Sequence, residues 1–249
     1  MAWFSKVFAP KTPNPEPEPR PPLRFEEDPP KRVVNAPVMP EEPQRESGMP
    51  APRIRARLDA EGRECLLMLE SPLLAGNWSF FAPDRDTAFS FSPLAGALFE
   101  EGGVESVLVL GMTVLVRQSG ENDRDITAFA RAMGTRLRAH LASGHPAVLP
   151  EFFDIVPDGE ALKTLVNQAL EREINPGIAS HGGEITLESV AGNTVRISMG
   201  GGCQGCAASD ITLRRGVEKA IRAYAPAVGA VVDVTDHEAG RNPYYTSMP

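Results

Sequence analysis

The sequence predicts an α+β protein, built as two small α+β units behind a disordered, proline-rich arm, and three observations predict it. Prolines crowd the beginning: 14 of the 24 fall within residues 1–52. Beyond Arg53, stretches with two-residue apolar alternation are interspersed with stretches of 3.6-residue repeat, which are the periods of strand and helix. Pro146, Pro150 and Pro157 then mark a second proline-bearing stretch that separates two such groups. The expected division is an arm over 1–52, a first domain over 53–146, a linker over 147–159 and a second domain over 160–249.

The arm contains Pro13-Asn14-Pro15-Glu16-Pro17-Glu18-Pro19, which cannot donate a regular hydrogen-bond ladder and has too little apolar content for a core. Its seven basic and eight acidic residues nearly cancel, which excludes a charged binding tail. Trp3, Phe4, Val7 and Phe8 form an apolar patch too short for the apolar region of a signal peptide.

In the first unit, Ile54 to Leu69 reads as a hairpin interrupted by Asp59-Ala60-Glu61-Gly62. Within it Cys65 alternates with Leu67 and Leu69 on one strand face, the pattern of a small core residue. A short strand fits Trp78 to Phe81. A helix is expected from Ser92, with Pro93 in its first turn, Leu94, Ala97 and Leu98 on one face, and an end before Gly102-Gly103. Val104 to Leu110 and Thr113 to Val116 read as strands joined by a tight turn at Gly111. Asp125 to Leu141 carries Ile126, Phe129, Ala130, Met133 and Leu137 at helical spacing.

The second unit opens with a helix whose face is Leu162, Leu165, Val166, Ala169, Leu170 and Ile174, broken or kinked by Asn175-Pro176-Gly177. The glycine pair Gly182-Gly183 reads as a turn ahead of two alternating strands, Glu184 to Val190 and Thr194 to Met199, joined at Ala191-Gly192-Asn193. A glycine-rich loop leads to a helix with Leu213, Val217, Ile221 and Tyr224 on one face. Val228 to Val234 makes a last strand. The order α-β-β-α-β suggests a small sheet with helices on one face.

Composition narrows the function. A net charge of −8 argues against general nucleic-acid binding, which needs a surplus of Lys and Arg. No run of 18 apolar residues is present, so no membrane span is expected. Three cysteines, two of them close together, do not make a disulfide framework, and a reducing cytoplasm is the expected compartment.

The chemistry concentrates at Gly200-Gly201-Gly202-Cys203-Gln204-Gly205-Cys206, between a strand and a helix. The spacing lets two thiolates turn toward one soft metal centre, and the glycines permit unusual backbone angles and free amides. The following helix is expected to begin around Ala207 to Asp210, with Ser209 as N-cap. Its positive end favours thiolates, Asp210 opposes that effect, and Arg214 or Arg215 offsets it. Three readings of Cys203 and Cys206 compete: a thioredoxin-like redox pair, half of a structural zinc site, and an iron–sulfur cluster whose remaining thiolates come from a second chain. Zinc lacks a second cysteine pair, with only His181 and His237 to complete it, and both of those sit in turn-like sequence. The redox reading meets three glycines before the pair, where an aromatic residue is expected. The glycine loop and the missing second pair favour the cluster.

Residues 165–245 closely resemble the C-terminal domain of the NifU-like (Nfu) iron–sulfur scaffold family, through Ile174-Asn175-Pro176, His181-Gly182-Gly183, Gly200 to Cys206, Asp210-Ile211-Thr212-Leu213, Gly216-Val217-Glu218 and Tyr244-Tyr245. The first unit resembles that family's N-terminal domain more loosely, through Ser92-Pro93-Leu94-Ala95, Leu98-Phe99, Gly103-Val104 and the Ser143-Gly144-x-Pro146 ending. Its entry before Trp78 departs from the family's asparagine–proline-rich start, and the proline-rich arm is not covered. The resemblance implies a carrier without substrate turnover of its own. Cys203 and Cys206 would ligate a [4Fe–4S] cluster at a homodimer interface, received from upstream assembly proteins or assembled in place and delivered to apo-protein clients. The alternative is a thiol–disulfide oxidoreductase using the same pair.

Overall fold

The computed structural model describes residues 52–59, 61–120, 125–201 and 211–235, with His181, Ile211 and Thr212 described by backbone alone. Apart from Pro52, the expected arm lies outside these residues.

The first unit is a five-stranded antiparallel sheet. Its strands are β1 (Arg55–Leu58), β2 (Glu64–Met68), β3 (Ser79–Ala82), β4 (Val104–Leu110) and β5 (Thr113–Gln118), in the spatial order β1-β2-β5-β4-β3. The expected hairpins form, and Gly111 takes φ +53° in the turn between β4 and β5. Helix α2 (Pro93–Glu100) begins as expected: the Ser92 hydroxyl accepts from Ala95 N at 3.0 Å and Pro93 needs no N–H partner. Helix α3 (Ile126–Ser143) is capped by the Asp125 carboxylate and ends on Gly144 at φ +73°. Leu94, Leu98, Phe129, Met133 and Leu137 are fully buried against Cys65, Phe80 and the valines of β4 and β5.

A short helix absent from the sequence expectation, α1 (Arg85–Phe91), precedes α2. Its signal was Asp84, whose carboxylate accepts from Thr87 N at 2.8 Å. Within 147–159, read as a linker, Pro150–Asp154 forms α4. Phe152 of that helix is buried in the first core, edge-on to Phe80 with ring centroids 4.9 Å apart. The Ser92 hydroxyl, besides capping α2, donates to Ala147 O at 2.6 Å.

The second unit follows the expected order. Helix α5 (Gly159–Ala169) continues through a π-turn at Leu170–Ile174 into α6 (Asn175–Ile178). The helix therefore changes winding ahead of Asn175-Pro176 rather than stopping there, where Pro176 has no N–H to give to the preceding turn. Strands β6 (Gly183–Ala191) and β7 (Thr194–Gly201) pair antiparallel, and β8 (Val231–Asp233) runs parallel to β7. Helix α7 (Ile211–Tyr224) lays Val217 and Ile221 on Leu162, Val166 and Ala169 of α5 and on Ile185, Ile197 and Met199 of the sheet. No helix among the described residues is long and apolar enough to cross a membrane.

Two outer strands, β6 and β3, are each capped by an asparagine amide. On β6, Asn175 donates to Ile185 O at 3.0 Å and accepts from Ile185 N at 2.8 Å. On β3, Asn193 of the β6–β7 turn accepts from Ser79 N at 2.9 Å and donates to Ser79 O and to Ala227 O, each at 2.8 Å. An amide presents one donor and one acceptor side by side, which is what an open strand edge lacks. The Ser79 hydroxyl pairs with Thr194 Oγ1 at 2.9 Å and accepts from Ala230 N at 2.8 Å. Two close glycine contacts make room: a Cβ on Gly192 would lie 3.0 Å from Asn77 O, and one on Gly229 would lie 2.7 Å from the Ser79 carbonyl carbon. The two units are thereby joined through a buried polar network.

Candidate functional site

Cys203 and Cys206 lie outside the described residues, as do Gly202, Gln204, Gly205, Ser209 and Asp210. The structure places the two supports of that segment, β7 ending at Gly201 and α7 described from Ile211.

The β7 end is held on both sides. Gly201 is paired in register with Gly183 of β6. Gly182 and Gly201 take φ +67° and +60°, and the Gly182 carbonyl oxygen occupies the space where a Cβ on Gly201 would stand. Only glycine tolerates both that backbone and that contact. The glycine pair read as a turn thus also abuts the strand end that leads into the cysteine segment. On the other side, Met199 N donates to the Thr235 hydroxyl at 2.8 Å, just past β8.

On the α7 side, the described helix runs from Ile211 to Tyr224. Arg215, named as a compensating cation, points its guanidinium to Glu64 of β2 at 3.3 Å and shares that carboxylate with Arg117 of β5 at 2.7 Å. Arg214 is exposed and has no ion-pair partner among the described residues.

Cys65 is fully buried in β2, and burial pushes its thiol up to about 11, so it is a protonated core side chain, as the alternation predicted. His237 and the side chain of His181 lie outside the description. Among the described residues, no group of three His, Cys, Asp or Glu side chains converges on a metal-sized site.

The described frame is a glycine-rich strand exit and a helix described from Ile211, and the two cysteines fall between them in the sequence. Over residues 166–232, from within α5 to β8, the sequence matches the family model of the NifU-like domain. That stretch is similar to the NifU-like domain. Its relatives include the "Fe/S biogenesis protein NfuA" of Stenotrophomonas maltophilia strain K279a, 46% identical over 88 residues that make up 35% of this chain and 44% of the relative. The protein of the same name from Teredinibacter turnerae is 44% identical over 91 residues, 36% of this chain and 47% of that one. A third, from Pseudomonas savastanoi pv. phaseolicola, is 46% identical over 84 residues, 32% and 43% of the two chains. The matched stretch spans under half the length of each relative.

Sequence reasoning missed Asn193 and Ser79. The turn Ala191-Gly192-Asn193 was recognised, but an asparagine in a turn carries no sign that its amide is committed to a strand 114 residues away.

Proposed function

We propose that this NifU-like protein is an iron–sulfur cluster carrier. Two chains hold one [4Fe–4S] cluster through Cys203 and Cys206 of each and pass it to apo-protein clients. The observation that carries the reading is Gly200 to Cys206 lying inside the NifU-like match, between a strand end that only glycine can form and the start of α7. The name shared by the relatives, a protein of Fe/S biogenesis, supports it.

A cube of four irons calls for four thiolates, and each chain brings one close pair, so the cluster bridges a homodimer. The exchange is ligand substitution: a client thiolate replaces a carrier thiolate on one iron at a time, with no net oxidation or reduction. The protein is then a carrier and not an enzyme, and it works in the reducing cytoplasm with upstream assembly proteins as donors. The domain over 53–146, of Nfu type by resemblance, docks partners, while the domain over 160–249 holds the cluster.

Anaerobic reconstitution with iron and sulfide, followed by light scattering and iron and sulfide analysis on the same fractions, tests this. The expected holo form is a dimer with about two irons and two sulfides per chain. Cys203→Ala or Cys206→Ala should abolish both the iron and the dimer. A monomer with a full four-iron complement would sink the shared-cluster mechanism, and an iron-free chain that reduces insulin disulfides would return the pair to the oxidoreductase reading.

A further inference from the structure

Three cavities of about 400, 310 and 550 Å³ follow one another along α7, on its side facing the first sheet. The first and second share Arg117, Arg215 and Glu218 in their walls, and the second and third share Phe81, Pro83 and Arg222. They are therefore neighbours, and the row of them is a groove along α7 partitioned by those shared side chains. From Arg214 to Ala225 it runs about 17 Å at the rise of an α-helix.

Its two ends differ in chemistry. The first cavity includes Met199 and Arg214, which flank the cysteine segment on β7 and α7. The third is apolar, walled by Phe91, Phe152, Ile155, Leu162 and Leu165, with Ile155 left 57% exposed. Between them, Arg117, Arg215, Lys219 and Arg222 face Glu105 and Glu218; with Arg214, Glu64 and Asp233 of the first cavity, five cations face four carboxylates along the groove, an excess of one in a chain of net charge −8.

The acids nearest the guanidinium groups are already committed. Glu64 serves both Arg117 and Arg215, and Glu218 bonds Arg222 at 3.0 Å. Arg214 and Lys219 have no ion-pair partner among the described residues. Nε of Arg215 and Nε of Arg222 are buried without an acceptor. Arg222 also stacks on Phe81 at 3.7 Å from its ring centroid, which fixes the boundary between the cationic and apolar parts.

We infer that this groove is the docking site for an extended, acidic segment of a cluster-accepting protein. An aromatic or aliphatic residue of that segment anchors in the apolar cavity, and its carboxylates lie against Arg214 and Lys219. Charge complementarity selects the segment, and the buried anchor holds it. At the rise of an extended chain, about five residues span the row from the apolar cavity to the Arg214 end, the end from which α7 leads back along the chain to the cysteines. The inference rests on the carrier reading for its choice of partner.

The test uses the full apo chain and a fluorescein-labelled peptide, Phe-Leu-Glu-Asp-Glu-Gly-Ser, in which Ser stands in for the client cysteine. Fluorescence anisotropy should show saturable, salt-sensitive binding, at least fivefold weaker for Lys219→Glu and for Ile155→Asp. Both positions are exposed, and thermal melts of the variants check that they fold. A peptide with Lys in place of Glu and Asp should not bind. Absence of saturable binding, wild-type affinity in either variant, or equal binding of the lysine peptide overturns the proposal. So does binding of dodecanoate without binding of the acidic peptide, which would make the cavity a fatty-acid site. Because the peptide binds apo chain, iron and sulfide analysis of the reconstituted protein judges the carrier reading separately.

Discussion

Asn193→Ala should cost about 3–6 kcal/mol and uncouple the two units. The side chain is fully buried, and its amide satisfies Ser79 N, Ser79 O and Ala227 O. Alanine leaves all three without a partner, at about 1–2 kcal/mol for each buried group. The Ser79 hydroxyl keeps Thr194 Oγ1 and the Ala230 amide, so the loss concentrates on the open edge of β3. Against the roughly 5–15 kcal/mol by which a domain is stable, this is a large fraction. Urea unfolding followed by tryptophan fluorescence and by circular dichroism is the assay, since Trp78 adjoins the network and circular dichroism reports both units. The wild-type chain should give coincident transitions and the variant two separated ones. Ser79→Ala should cost less, about 1–2 kcal/mol, because it orphans only the Ala230 amide, and the two changes together should be clearly non-additive. A loss below about 1 kcal/mol with a single cooperative transition would falsify the edge-capping argument.

Asn175→Ala removes the matching cap on β6 and should lower stability by about 2 kcal/mol in the same urea assay, since Ile185 N and O both lose partners. Gly201→Ala should reduce both stability and the iron bound on reconstitution, because positive φ alone costs about 1–3 kcal/mol and the Gly182 carbonyl must also move; unchanged iron would sever Gly201 from the cysteine segment. Cys65 should resist thiol reagents at pH 8 until the chain is unfolded, and Cys65→Ala should leave iron content unchanged. With its pKa raised to about 11, the folded chain keeps this proton while the unfolded one releases it, so Cys65 makes stability fall as pH rises from 9.0 toward that value; unfolding midpoints for wild type and Cys65→Ala across that range should diverge. His140 has its pKa lowered by burial, helped by repulsion from His145. The unfolded state therefore takes the proton first, and stability should fall as pH drops below 6.5, with a shallower fall in His140→Gln.

Much of the secondary structure could be read from the chain because its causes are local. The face of Leu162, Val166 and Ala169 and the alternation around Cys65 and Leu67 are periodicities of a few residues. Ser92 and Asp125 cap helices through amides three positions away. Helix α1 rests on the same kind of signal at Asp84, and the burial of Phe152 is non-local, since the aromatic rings that receive it come from β3 and α1. The sequence by itself determined the α+β class, the α-β-β-α-β order and the glycine–cysteine segment. Tertiary structure decided that Asn193 closes the edge of β3 and that the Gly182 carbonyl lies under Gly201. It also placed Arg117, Arg215 and Arg222 in the walls of one groove. Those are meetings of residues far apart along the chain, set by how two sheets and a helix pack, and nothing in the local pattern of any one partner encodes the other.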